Sequence, residues 1–223
     1  VQKMLDGVIE YMPAPTDIPD ITGTDEDGNE VVRKSSDDEP FAALAFKIMT
    51  DPYVGKLCFF RVYSGSIAAG ETALNTEKGQ RERFGRILQM HANERKDIEK
   101  VYAGDIAAVV GTKNTTTGDT LCDEAAKVKF APISFPKPVL SLAIYAAKQG
   151  DEDKIFQGLN RLAEEDCSFK VEKDSETGEM VIRGQGETQL EVLSKKLKAK
   201  FGCDVLLKEP KIAYRETIRG RVE

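Results

Sequence analysis

Apolar positions recur along the chain with two different periods. Between Phe41 and Phe130 they fall in short runs that alternate with polar residues: FAALAFKIM, LCFFRVYS, ETALNT, RFGRILQM, DIAAVVG and KVKF. A period of two places one face of each run inward, which predicts half-buried strands. Turn signals separate the runs at Asp51-Pro52, Ser64-Gly65, Lys78-Gly79, Ala103-Gly104, Gly111 and Thr117-Gly118-Asp119. Many short strands at this spacing predict an all-β barrel or sandwich over residues 40–130.

Residues 131–210 follow another pattern. Val139–Tyr145 reads as a strand, and Asp151 is placed to cap a helix whose apolar Ile155, Leu159 and Leu162 share one face. Phe169–Lys173 and Met180–Arg183 read as a hairpin around Ser175–Gly178. Thr188-Gln189-Leu190-Glu191 fits a capping box, opening a helix with Leu190, Leu193, Leu197 and Phe201 inward. Gly202 stops that helix and Val205–Leu207 is the last strand. The order β-α-β-β-α-β predicts an α+β ferredoxin-like domain. The closing KIAYRETIRGRVE, residues 211–223, begins a further strand that has no partner in the chain.

The N-terminal 39 residues are of a third kind. Residues 1–11 form a short helix with Met4, Leu5, Val8 and Ile9 on one face. The stretch MPAPTDIPD carries three prolines and reads as an extended linker, because each proline disfavours helix in the residue before it. Gly23–Glu39 is polar and acidic and reads as a mobile loop.

Composition narrows the classes. The 223 residues allow one or two domains. No apolar run is long enough to span a membrane, and the first residues mix charge with apolar side chains, unlike a secretory signal. The chain opens on Val1 without a start Met, which suggests a piece of something longer. Cys58, Cys122, Cys167 and Cys203 stand singly, which points to a reducing compartment. With His91 the one histidine, these residues argue against a structural zinc site. The net charge of −6 is concentrated at the N-terminus, where residues 1–39 hold 3 basic and 11 acidic side chains. The remainder is close to neutral and can meet a polyanion through local basic patches.

Candidate chemistry is sparse. Gly65–Thr72 nearly fits a phosphate loop, but Glu71 stands where a lysine must neutralise phosphate, and strand-like residues follow where a helix is needed. A barrel hairpin is the better reading. Gly184-Gln185-Gly186-Glu187 is a glycine turn at a helix N-terminus. Glu187 repels an anion there, so the glycines serve a tight reversal or close approach by another backbone. Glu164, Glu165 and Asp166 read as a solvated helix end, and His91 as a surface or loop-anchoring residue. No catalytic arrangement emerges. Lys78, Arg81, Arg83 and Arg86 fall within nine residues on a hairpin and are candidates for phosphate contact, diluted by Glu77 and Glu82. Lys195, Lys196, Lys198 and Lys200 crowd a helix C-terminus, where cations are favoured for that reason alone.

The succession of segments resembles a known family. FKIMTDPYVGKLCFFRVYSG (46–65), GRILQMHANERKDIEKVYAGDIAAVVG (85–111) and TTTGDTL (115–121) closely resemble domain II of bacterial elongation factor G. LNRLAEEDCSFKVEKDSETGEMVIRGQGE (159–187) resembles its domain III, PKIAYRETI (210–218) the beginning of domain IV, and LDGVIEYMPAPTDIP (5–19) the end of the G domain and its linker. The resemblance implies domains at 1–39 (G-domain tail and acidic linker), 40–130 (a translation-factor domain II barrel), 131–210 (domain III) and 211–223 (start of domain IV). It implies a GTPase that drives tRNA–mRNA translocation on the ribosome in the cytoplasm, as a monomer. GTP or GDP and Mg would be held by a G domain outside this chain, and the chain itself needs no cofactor. Lys78, Arg81, Arg83 and Arg86 would face small-subunit rRNA. Gly184, Gly186, Glu187 and Gln189 would face the G domain and relay nucleotide state, and without that partner their turn is expected to be exposed and mobile. The family usually has Gly-Glu-Leu-His where this chain has Gly186-Glu187-Thr188-Gln189, so an elongation factor G-like paralogue is an alternative. A ribosome-protection or other translational GTPase, and a standalone RNA- or protein-binding module, are the others.

Overall fold

The computed structural model describes residues 1–51, 54–92 and 94–220, and the chain divides into two units, Val1–Ile133 and Ser134–Glu223. The Pro52 turn signal and residues 221–223 lie outside the described residues. No described helix is long and apolar enough to cross a membrane.

The first unit opens with α1 (Gln2–Tyr11), none of whose side chains is buried. The strands follow as β1 (Ile21–Thr24), β2 (Glu30–Arg33), β3 (Ala42–Asp51), β4 (Gly55–Ser64), β5 (Ile67–Ala68), β6 (Thr72–Asn75) and β7 (Gln80–Arg83). They continue as β8 (Ile87–His91), β9 (Glu94–Ile98), β10 (Lys100–Val101), β11 (Ile106–Val110), β12 (Thr120–Cys122) and β13 (Lys129–Phe130). Eight of them make one antiparallel sheet in the order β7-β6-β12-β3-β4-β11-β8-β9. One core cluster collects side chains from both ends of that order, Ala73 and Phe84 at one end and Ile87 and Ile98 at the other, around Phe60, Val62 and Leu121. A sheet whose two ends share a core has rolled up, so the unit is a barrel. Phe84 stands edge-on to Phe41 and Phe60, with ring centroids 5.9 and 5.2 Å away, a favoured aromatic geometry.

Two expectations for this unit are corrected. The run RFGRILQM is not one strand. β7 ends at Arg83 and β8 begins at Ile87, because Phe84 turns fully inward and takes the chain out of register. Gly23–Glu39 is not a loop throughout. β1 and β2 pair as a hairpin, and β1 pairs with β13 through Gly23↔Phe130. Asp25 closes the turn by accepting the Asp27 and Asn29 N–H groups, and Gly28 takes φ +83°. Ile21 and Val31 then pack on buried Cys122, Val128 and Phe130. Two apolar residues suffice to dock a segment whose composition is otherwise polar.

The second unit runs β14 (Leu140–Ala146), α2 (Glu152–Glu165), β15 (Lys170–Lys173), β16 (Met180–Gly184), α3 (Glu187–Phe201) and β17 (Val205–Lys208). The antiparallel order β15-β16-β14-β17 is the ferredoxin-like topology. Both helices cover one sheet face, where Ile144 and Ile182 meet Ile155, Leu159, Leu162, Leu190, Leu193 and Leu197. At Gly158 the helices approach closely, for a Cβ there would stand 2.7 Å from Leu197 Cδ1.

Both predicted side-chain caps are corrected. Asp151 occupies the N-cap of α2 without making the cap hydrogen bond. The capping box at Thr188 does not form, because α3 starts two residues earlier with Gly186 as N-cap. Gly202 ends α3 in the left-handed conformation at φ +67°, as expected. Residues 209–219 form no strand, and no sheet edge takes them. The Lys211 N–H is held by Glu179 Oε2 at 2.8 Å instead.

Candidate functional site

The four cations proposed for phosphate contact lie around the β6–β7 hairpin. Alternation along β7 puts Arg81 and Arg83 outward and Glu82 inward. β7 ends the order of its sheet, so Arg81 and Arg83 stand on an outer, exposed strand. Arg81 pairs with Glu124 at 2.6 Å and Arg86 with Asp97 at 2.5 Å, both on the surface. Arg83 has no ion-pair partner among the described residues.

Lys78 is different in kind. Its ammonium pairs with Asp119 at 2.9 Å, donates to Thr116 Oγ1 at 2.8 Å, and also donates to the Asn114 carbonyl. It belongs to a polar cluster that sequence reasoning missed. Buried Asn75 donates to Asp119 Oδ2 at 2.8 Å, and Asp119 also accepts the Thr116 N–H. Burial pushes the Asp119 carboxyl up, but the Thr116 N–H, the Asn75 amide and Lys78 together outweigh it and hold it below the usual carboxylate range. Glu82 is buried and accepts three consecutive backbone N–H groups, from Lys113, Asn114 and Thr115, at 3.1, 2.6 and 3.0 Å. Glu77 accepts the Thr120 N–H at 2.7 Å. These acids do not simply dilute a positive field. They fasten the 112–119 loop beside the cations. The signal for Glu82 was available, since alternation on β7 already turns it inward.

The glycine turn after β16 is tightly tied. Gly184 is buried, and a Cβ there would lie 2.7 Å from both Gln189 Oε1 and Leu190 Cδ2. Gly186 has extended backbone with φ 175°, and a Cβ there would meet nothing. The Gln189 Oε1 accepts the Gln185 N–H at 2.7 Å, while its Nε2 donates to Ser168 Oγ at 2.6 Å. The Gln185 amide reaches the Pro136 and Ser168 carbonyls at 3.0 and 3.3 Å. The expectation of an exposed turn is corrected for four of its members, buried Gly184 among them. Gln185, Gly186 and Gln189 are half-buried, because Gln189 clamps the β16–α3 turn to the α2–β15 turn. Glu187 and Thr188 are exposed.

The near-phosphate loop is a strand connection. Glu71 Oε2 accepts the Ala68 N–H at 2.7 Å, so the residue that spoils the motif closes the β5–β6 turn. Glu165 is bridged to Lys200 at 2.8 Å, and His91 ends β8 on the surface. Among the described residues no three His, Cys, Asp or Glu side chains are grouped to hold a metal.

Comparison with known proteins resolves both units. The family model for elongation factor G domain 2 matches residues 40–124, and that for Elongation Factor G, domain III, matches residues 135–209. The chain belongs to the elongation factor G family. The barrel is its domain II and the ferredoxin-like unit its domain III. A solved structure, ttk003000868 from Thermus thermophilus, is similar over 95% of this chain, with 26% identity and a TM-score of 0.75. This chain spans 29% of that protein's length. Lys78, Arg81, Arg83 and Arg86 thus stand on domain II, and Gly184, Gly186, Glu187 and Gln189 on domain III.

Proposed function

We propose that these domains are the ribosome-facing middle of a cytoplasmic translational GTPase that promotes tRNA–mRNA translocation, with GTP and Mg held by a G domain joined to them. Domain II contacts small-subunit rRNA through Lys78, Arg81, Arg83 and Arg86. Domain III receives the nucleotide state of the G domain at the Gly184–Gln189 turn. The observation that carries this reading is the succession of elongation factor G domains II and III in one chain. The side chains are compatible with it. The Arg81–Glu124 and Arg86–Asp97 pairs are exposed, and such pairs are weak because water screens them, so phosphate oxygens can replace the carboxylates at little cost. Gly186 has open space above it, which lets a neighbouring backbone approach a turn that is held rigid from below.

The test is co-sedimentation of the chain with small ribosomal subunits across a salt series. Binding should weaken linearly in log affinity against log salt, and reversing Arg81 and Arg83 to Glu should lower it at every concentration. Affinity that ignores both salt and the reversals would reject the reading. With the G domain joined, Gly186→Val should preserve folding and reduce ribosome stimulation of GTP hydrolysis. A specialised paralogue is the second reading, favoured by Gln189, an untitratable amide in the place of the family's usual His.

A further inference from the structure

Arg61 on the outer face of β4 and Arg33 on β2 form a cation pair that nothing above uses. Arg61 and Tyr63 alternate with buried Phe60 and Val62, so they point away from the barrel core. The β1–β2 hairpin and the proline segment before it lie over that face and line a half-open cavity of about 180 Å3. Arg61 and Arg33 both line it, beside Ser35, Tyr63, Gly104 and Asp20. The Nε of each arginine is buried without a hydrogen-bond partner. One Arg33 Nη donates to the Ala126 carbonyl at 2.8 Å, and the Arg61 guanidinium lies over the Tyr63 ring, 5.1 Å from its centroid. Among the described residues no carboxylate forms an ion pair with either.

Two guanidiniums facing one cavity without an ion-paired carboxylate are unusual in a chain of net charge −6. Like charges repel across so small a space, and a buried donor without a partner calls for an acceptor. We propose that this cavity is a binding site for a single phosphate group, free or terminal, held by Arg33 and Arg61. Asp20 on the lining offsets one of the two positive charges, so donor geometry rather than net charge selects phosphate over a carboxylate. Guanidinium forks match phosphate oxygens in pairs. Size selects the group alone. At about 180 Å3 the cavity is below the roughly 300 Å3 at which sites for larger ligands begin. A nucleoside has no room, so the rest of any phosphorylated ligand remains outside. The rim is stiff on one side, where Pro15 packs against Gly104 at φ +93°. The inference is independent of the proposed translocase role, since these arginines are not among the residues assigned to rRNA contact.

The test is NMR of the whole chain, following the arginine Nε–H signals and the Ser35, Tyr63 and Gly104 amides. Titration with inorganic phosphate at constant ionic strength should move the Arg33 and Arg61 Nε–H signals saturably, with half-saturation at about 1–10 mM. The response should weaken towards pH 5.5, where phosphate loses its second charge. A 5′-phosphorylated dinucleotide should reproduce it and the 5′-hydroxyl form should not. Arg61→Gln and Arg33→Gln should each weaken binding about tenfold or more, and Arg61→Lys should weaken it less. The wild-type signals decide the matter even where a variant misfolds. Shifts that do not saturate, that sodium chloride reproduces, or that the 5′-hydroxyl dinucleotide matches would overturn the proposal.

Discussion

Replacing Glu82 by Gln changes one oxygen to an NH2 group and leaves the shape alone, yet the barrel should lose about a third of a typical domain's stability. Oε1 accepts the Asn114 and Thr115 N–H groups, and the amide oxygen of Gln can keep both. Oε2 accepts the Lys113 N–H, and in Gln an NH2 would face that donor. The side chain is only 3% exposed, so water cannot intervene. One buried donor left without an acceptor costs about 1–3 kcal/mol, and the two retained bonds lose their charge assistance, worth roughly a further 0.5–1 kcal/mol each. The sum is about 3 kcal/mol. A unit of 133 residues has an unfolding entropy near 0.28 kcal/mol/K at about 2.1 cal/mol/K per residue, so the melting temperature should fall by about 10 °C. Thermal unfolding followed by the amide signals of Ala108 and Leu121 reads the barrel apart from the second unit, which has its own core. Hydrogen exchange at residues 113–115 should accelerate with it. A shift below about 2 °C with unchanged exchange would mean that the 112–119 loop holds itself and that Glu82 is incidental.

Three further outcomes are expected. The Asp119 carboxyl is depressed in the folded chain, so its stabilisation is present above its unfolded value of about 3.9 and is lost as pH falls through the folded one; the urea midpoint of the barrel should therefore drop steeply below about pH 4, and Asp119→Asn should flatten that drop. Gly184→Ala should cost the second unit about 1–3 kcal/mol through the clash with Gln189 and Leu190, whereas Gly186→Ala should stay within about 0.5 kcal/mol in chemical denaturation; equal costs would contradict the geometry of the turn. Half-buried Cys167 should react first with a thiol reagent, while Cys58, whose thiol burial pushes up to about 12, should stay unreactive until the barrel unfolds, as counted by mass spectrometry.

Legibility varied with the length of the local signal. The ferredoxin-like order could be read because each of its elements is long enough to show a period, and α3 repeats its leucines at 190, 193 and 197 over about two turns. β12 could not be read, since three residues carry no period, although all three are buried between β6 and β3. The β1–β2 hairpin was hidden by composition. The helix caps failed because neither N-cap side chain bonds the first turn: Asp151 makes no such bond, and α3 begins at Gly186, which has no side chain to make one. Of the candidate residues, alternation placed Arg81 and Arg83 on the surface. It could not show that Glu124, 43 residues from Arg81, and Asp97, 11 residues from Arg86, are the ion-pair partners. Arg33 and Arg61 stand 28 positions apart and share no pattern, so only the folded chain brings them to one cavity.

The pairing of β3 with β12 has a temporal side. Leu44 lies opposite Thr120, and β1 waits still longer, since Gly23 meets Phe130. At a synthesis rate of about 5–20 residues per second, the 76 residues between Leu44 and Thr120 take roughly 4–15 s to make. During that interval β3 and β4 can form their hairpin, but the edge of β3 that β12 will occupy stays open, with FAALAFKIM beside it. An open apolar edge is the feature that invites pairing with another chain. The nascent barrel therefore passes through a window of seconds in which a long, largely apolar strand must be shielded by something other than its native neighbour, and a slower decoding of residues 65–120 would lengthen that exposure without changing a single contact of the finished fold.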